Sequence, residues 1–158
     1  MHSHIGPAGS ADVAAMVDLS EQHRLLLQTY QPVFWRKADR SKEAQIPYFE
    51  KLVADPDIIK LVAESDTGIE GFLISARIPV PPVYDPGAAT YLIDDFCVKD
   101  DHAWMSIGST LLQAAIQEIK LRGGSQIVVV CSHLFEEKRT FLQHEGLSIA
   151  SEWYVNKI

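Results

Sequence analysis

Apolar residues in this chain alternate between helical and strand spacing, and the alternation predicts its elements. A short strand at 3 to 7 (SHIGP) is followed by Ser10, an N-cap for a helix over 11 to 27 with Val13, Met16, Val17 and Leu25 on one stripe. An irregular aromatic stretch, TYQPVFWRKADRS, leads to a second helix over 42 to 54, which ends before Asp55-Pro56. Two β-rich runs, 58 to 64 and 69 to 78, flank Ser65-Asp66-Thr67-Gly68 and read as a hairpin. PVPPVYDPG then holds four of the eight prolines and must be a stiff exposed loop, either a lip of a binding site or a plain connector. A strand at 90 to 98 precedes a helix at 106 to 122, whose buried face carries Ile107, Leu111, Leu112, Ala115, Ile116 and Ile119. Gly123-Gly124 stops that helix, and QIVVVC at 126 to 131 is apolar throughout, as in a strand buried on both faces. A short helix at 135 to 144 and one or two strands within 148 to 158 complete the chain.

The strand–helix–strand over 90 to 131 should form a right-handed parallel crossover, while the hairpin before it makes the sheet mixed. The expected fold class is therefore α/β (α+β): a single domain, 1 to 158, with a mixed central sheet of six to seven strands and helices on both faces. At 158 residues there is enough chain for a substantial core.

Composition narrows the function. A net charge of −7 argues against nucleic acid as a partner and mildly favours neutral or cationic substrates. No apolar run is long enough to span a membrane. The two cysteines, Cys97 and Cys131, lie in strand-like runs and read as reduced core thiols, which places the chain in the cytoplasm. His2 and His4 form no metal-ligand pattern, and no metal site is expected. An exposed sheet edge and the final strand suit pairing into a homodimer.

Chemistry concentrates between residues 90 and 124. TYLIDDFCV supplies a buried strand with two adjacent carboxylates, and Ser106, Ile107 and Gly108 open the next helix. Backbone N–H groups at the positive end of a helix dipole, beside a strand edge, suit a phosphate-bearing cofactor. Because Asp94 and Asp95 stand among apolar neighbours, at least one should point inward. That carboxylate then has an ion-pair partner, a raised pKa or access to solvent through a cleft. A raised pKa beside a substrate amine is what a general base requires.

This order of elements, and the run from Tyr91 to Leu147 above all, resembles the GCN5-related N-acetyltransferase (GNAT) family. In the family a strand ends in valine, here Val98. After a polar loop come a basic or amide residue, two free positions, Gly, one free position, and Gly or Ala. Those six positions fall on Ala103, Trp104, Met105, Ser106, Ile107 and Gly108. Ala103 and Ser106 depart from the pattern, whereas Gly108 and the following Leu111-Leu112 keep it. YLIDDFCV is most similar to the corresponding strand of the diamine (polyamine) acetyltransferases.

The resemblance implies acetyl-CoA as cofactor and transfer of an acetyl group to a small-molecule primary amine by direct attack on the thioester. It implies Asp94 as catalytic base or water relay, Phe96, Cys97 and Val98 along the pantetheine arm, and the turn from Ala103 through Ser109 around the pyrophosphate. The tyrosine that commonly serves as acid falls on Leu142, which leaves Tyr154, His133, Ser132 and Cys131 as substitutes. Tyr30, Phe34 and Trp35 fall where the family builds its acceptor pocket, and ordinary packing accounts for them equally. The departures at Ala103, Ser106 and Leu142 also admit a second class: a catalytically weak or inactive relative that binds acyl-CoA or serves as a regulatory or interaction module.

Overall fold

The computed structural model describes residues 3–158. Strand β1 (His4–Pro7) leads through a 3-10 turn (Ser10–Asp12) into α1 (Val13–Tyr30), followed by α2 (Ser41–Ala54). Ser10 does not cap α1 with its side chain; instead the Asp12 carboxylate accepts the Gly9 N–H at 2.7 Å. Strands β2 (Ile59–Ser65), β3 (Gly68–Ile78) and β4 (Ala89–Val98) form an antiparallel meander, and Gly68, at φ 109°, closes the hairpin. Helix α3 (Ser109–Leu121) crosses over to β5 (Gly124–Val129), which runs parallel to β4, and α4 (Glu136–His144) follows.

The sheet has five strands in the order β1-β2-β3-β4-β5, not six or seven, because residues 148–158 form no strand. That absence also corrects the reading of QIVVVC. With no neighbour beyond it, β5 is an edge strand: Ile127 and Val129 pack inward while Val128 is 37% exposed. The helices lie on both faces, as expected. One face packs Val62, Phe72, Ile74 and Cys97 against α1 and against Phe49 of α2. The other packs Ala63, Leu73, Ile93 and Phe96 against α3 and α4.

The entry to α3 differs from a plain helix start at 106. A 3-10 turn (Asp101–Ala103) passes into a single π-helical turn (Trp104–Gly108), and the α-helix begins at Ser109. The wider turn lets the Trp104 side chain point inward, where it is 1% exposed among Phe96, Phe135 and Phe141 at ring centroid distances of 5.0, 5.8 and 5.4 Å. Gly108 makes room for it, since a Cβ there would stand 2.9 Å from Trp104 Cε3.

Gly71 of β3, opposite Val98, is packed as closely: a Cβ would meet the Cys97 carbonyl oxygen at 2.9 Å. Gly→Ala at a residue with an ordinary φ is commonly stabilising. Gly71→Ala should instead cost about 1–3 kcal/mol as overpacking, seen as a lower denaturant midpoint at constant slope.

Candidate active site

The site is built by one extra residue in β4. Leu73 pairs with Phe96 and Ser75 with Ile93, so two steps along β3 answer three along β4. The resulting bulge falls at Asp94-Asp95 and shifts the alternation: Tyr91 and Ile93 face α3 before it, Phe96 and Val98 after it. At the same point β4 and β5 part. Their ladder ends at Ile93↔Val129 with the Val130 N–H donating to Ile93 O at 3.0 Å, and the rest of β4 has a free edge on that side.

Asp94 is exposed, whereas Asp95 is half-buried. Burial first, then the charge of Asp94, push the Asp95 carboxyl up to about 6, outweighing the pull of Lys138 and Arg24. Tyr48 of α2 senses the same pair: burial and the charges of Asp95 and Asp94 raise its hydroxyl.

The free edge meets Lys138. This α4 side chain is 1% exposed; its Nζ donates to Phe96 O at 3.1 Å and lies 5.3 and 5.2 Å from the Phe96 and Trp104 ring centroids. Among the described residues no carboxylate lies within ion-pair distance of it, and burial lowers its pKa. Nearby, His23 Nδ1 lies 3.0 Å from Cys97 Sγ. Burial depresses the imidazole to about 3 and lifts the thiol to about 12, so the pair stays neutral and Cys97 is no thiolate nucleophile. His23, Cys97, Val98, Trp104 and Phe135 wall a cavity of about 100 Å³.

The segment between α1 and α2 is tied down through Glu21. Burial pushes that carboxyl up, but contacts from Lys37 (2.8 Å), Ser41 (2.7 Å) and Arg24 (2.9 Å) more than offset it and hold it at about 2. Tyr30 packs on Phe135, Phe34 on Trp35, and Phe34 also meets Trp153 at 6.1 Å. The proline loop lies at the other end of β4, where it rims an open depression of about 960 Å³.

The residues read from sequence as cofactor contacts divide into groups. Phe96 and Val98 bring main chain to the open stretch of β4, and Cys97 faces α1. Ala103 is half-buried, Met105 and Ser106 are exposed, and Ile107 packs against the core. Trp104 and Gly108 are interior, and the Ser109 hydroxyl donates to Glu145 at 2.6 Å. Leu142 is core, Tyr154 is 90% exposed and His133 is exposed. The sequence reading preferred Asp94 to Asp95 as the base, and it did not single out His23 or Lys138. Lys138 was legible: Phe135, Lys138, Phe141 and Leu142 share one helical stripe.

No family model and no curated protein matches the chain. Solved structures do. A tetramutant of the BH1408 protein from Bacillus halodurans superposes with TM-score 0.83 at 17% identity, covering 98% of this chain and 99% of that one. A predicted acetyltransferase with acetyl-CoA from Clostridium acetobutylicum gives 0.74 at 21%, covering 98% and 96%. An aminoglycoside acetyltransferase from an uncultured soil metagenomic sample, in complex with sisomicin, gives 0.67 at 16%, covering 98% and 97%. The chain has the acetyltransferase fold. Among the described residues no helix is long and apolar enough to cross a membrane, and no cluster of ligating side chains could hold a metal ion.

The acetyltransferase fold raises the question of whether coenzyme A fits here. Donors are available: Lys138 Nζ makes one hydrogen bond to protein, to Phe96 O on the free edge, and Ser132 Oγ is buried without a partner. Pantetheine amides can pair with such an edge as an added strand. The turn fits less well, since Asp100 and Asp101 precede it and Glu145 already accepts from Ser109 and from Gln113 (2.7 Å) at the start of α3. The cavity is small: 100 Å³ is well below the roughly 300–1,000 Å³ of ligand pockets.

Stability against pH tests the Asp95 environment. A carboxyl raised from about 4 to about 6 costs nothing below pH 4, and its cost grows as pH climbs through that window. His23, depressed to about 3, acts oppositely, losing stability as pH falls from 6.5 to 3. Asp95→Asn should therefore be more stable than the parent at pH 7, by about 1–2 kcal/mol after allowance for its solvent contact. That gap should close near pH 4 in paired denaturant titrations.

Proposed function

We propose that this chain is an acetyl-CoA-dependent N-acetyltransferase acting on a small primary amine, with Asp95 rather than Asp94 as the base. The observation that carries this reading is the coincidence, at one bulge, of parted strands and a half-buried carboxyl raised to about 6. Coenzyme A, when bound, supplies the activated acyl thioester. The chain's part is to bind, orient and move a proton. Main chain at Phe96 and Val98 holds the arm, and Met105, Ser106 and Ile107 offer amides to the phosphates. The Asp95 carboxylate draws a proton from the acceptor ammonium, directly or through one water, while Asp94 attracts its charge. Lys138 places a cation beside the edge where negative charge would develop, a role that Leu142 cannot fill. The aromatic segment with Tyr30, Phe34 and Trp35, held by Glu21, walls the acceptor side. The likeness of YLIDDFCV to diamine acetyltransferases supports a cationic acceptor but selects no particular amine.

Trp104 favours a second reading. A tryptophan 1% exposed, packed against three aromatic rings and fitted by Gly108, is also how a groove with no cofactor would be filled. On this reading the domain is an inactive relative that serves as an interaction module.

Calorimetric and thermal titration separates the two. Acetyl-CoA, but not an adenine nucleotide alone, should raise the unfolding temperature, and Trp104→Ala should bind it more tightly than the parent. Absence of binding to both proteins leaves the second reading standing. For the enzyme, Asp95→Asn should lower kcat/KM for amines by about 10²–10⁴-fold and remove the limb near pH 6 from the pH–rate profile. An unchanged limb would take Asp95 out of the mechanism.

A further inference from the structure

The proline loop after β3 takes no part in the proposed chemistry, yet it is built as one wall of the depression at the far end of β4. Its first half is a β-turn: the Tyr84 N–H donates to Pro81 O at 3.0 Å, and Pro82 fixes the corner. Its second half is held by β5, where Ser125 Oγ donates to Pro86 O at 2.6 Å and accepts the Ala88 N–H at 2.8 Å. The opposite wall is fixed as well. At the end of α3 the Arg122 guanidinium donates to the carbonyls of Pro56 and Asp57 (2.9 and 3.2 Å) and pairs with Glu118 at 2.7 Å. The depression is therefore preformed, and its volume of about 960 Å³ lies within the roughly 300–1,000 Å³ of small-molecule sites.

The ends of β3 and β4 form its floor, and two polar groups there lack partners. Arg77 and Tyr91 stand directly opposite each other in the ladder, so their side chains rise side by side on one face. Tyr91 is 4% exposed, with its ring packed among Ile59 and Ile119, but its hydroxyl keeps contact with solvent. What it exposes opens into the depression it lines. Among the described residues neither the Arg77 guanidinium nor the Tyr91 hydroxyl makes a hydrogen bond, and Arg77 makes no ion pair. In a chain with 21 acids to 14 bases, an arginine that no carboxylate reaches is unexpected. Asp57 is the one acid in the described lining, against the guanidiniums of Arg77 and Arg122. A planar guanidinium beside a phenol O–H is a donor set for a carboxylate. Pro81, Pro82 and Tyr84 add apolar ring faces above it.

We propose that Arg77 and Tyr91 form a binding site for a small aryl carboxylate. The guanidinium takes both carboxylate oxygens, the phenol donates to one of them, and the proline–tyrosine loop covers the ring. This site is separate from the bulge at Asp94-Asp95 and does not depend on the reading of the cofactor groove.

The test is binding of naphthoate to the full chain, followed by calorimetry and by amide correlation spectra. Naphthoate should bind with a Kd at or below about 1 mM and shift the Arg77 and Tyr91 amides. Arg77→Gln should weaken it at least about tenfold, and Tyr91→Phe, which keeps the ring, about threefold. Arg77 is exposed, so Arg77→Gln should unfold at the parent's temperature. Naphthylmethanol, which has the body without the charge, and inorganic phosphate, which has the charge without the body, should each bind at least about tenfold more weakly. Absence of saturable binding to the parent overturns the proposal. So does undiminished naphthoate binding by either variant, or a control ligand that binds as tightly as naphthoate.

Discussion

The extra residue at Asp94-Asp95 is the constraint from which the rest of the molecule follows. A regular β4 would keep its side chains in phase with β3 and its edge against β5 to the end. The bulge breaks both at one point. It turns Phe96 and Val98 to the face that Ile93 occupied, brings two carboxylates to the strand surface, and uncouples the last third of β4 from its parallel neighbour. The gap so opened is where Trp104, Phe135 and Lys138 come to rest. Without the bulge neither the raised Asp95 carboxyl nor the free edge would exist.

The interior beside that gap is polar in an unusual way. Lys138 is buried with one carbonyl and two aromatic faces for company, while His23 and Cys97 are held neutral against each other. A buried cation without a carboxylate is costly. The arrangement distributes that cost: aromatic faces and the Phe96 carbonyl attract the ammonium, and Asp95, half in solvent, offsets some of its charge from a distance. Burial keeps His23 from protonating, and the same cation adds to that effect. Removing Asp95's charge relieves one desolvated carboxylate and leaves Lys138 less compensated, so the two effects oppose each other in any Asp95 variant.

How much of this could be read from the chain differs by element. The hairpin, the parallel crossover and all four helices follow from local spacing and Gly/Pro punctuation, which act over a few residues. The strand count does not. SIASEWYVNKI has the composition of a strand but meets no edge within the chain, and pairing is a long-range event that local pattern does not encode. QIVVVC reads as doubly buried because an apolar run looks alike whether or not a neighbour lies beyond it. Choosing between Asp94 and Asp95 required the bulge, and adjacent carboxylates carry no mark of which is turned inward. Glu136, Glu137 and Arg139 make the helix of Lys138 look solvated, and its burial is legible only along the Phe135–Lys138–Phe141 stripe.

Gly108 shows why a motif match and a packing need can be confused. In a phosphate-binding turn a glycine lets the ligand approach the backbone. In this chain the nearest obstacle to a Cβ is the Trp104 ring, with Phe141 Cζ at 3.6 Å behind it. The glycine is explained without any ligand, so its presence carries little weight for cofactor binding. The weight shifts to features that packing does not explain: the buried Lys138 ammonium on the Phe96 carbonyl at the open edge of β4, and the unpartnered Ser132 Oγ. A core optimised only to be filled would place apolar atoms there. A buried ammonium with one carbonyl partner at an open β4 edge is a polar group that filling alone would not put there.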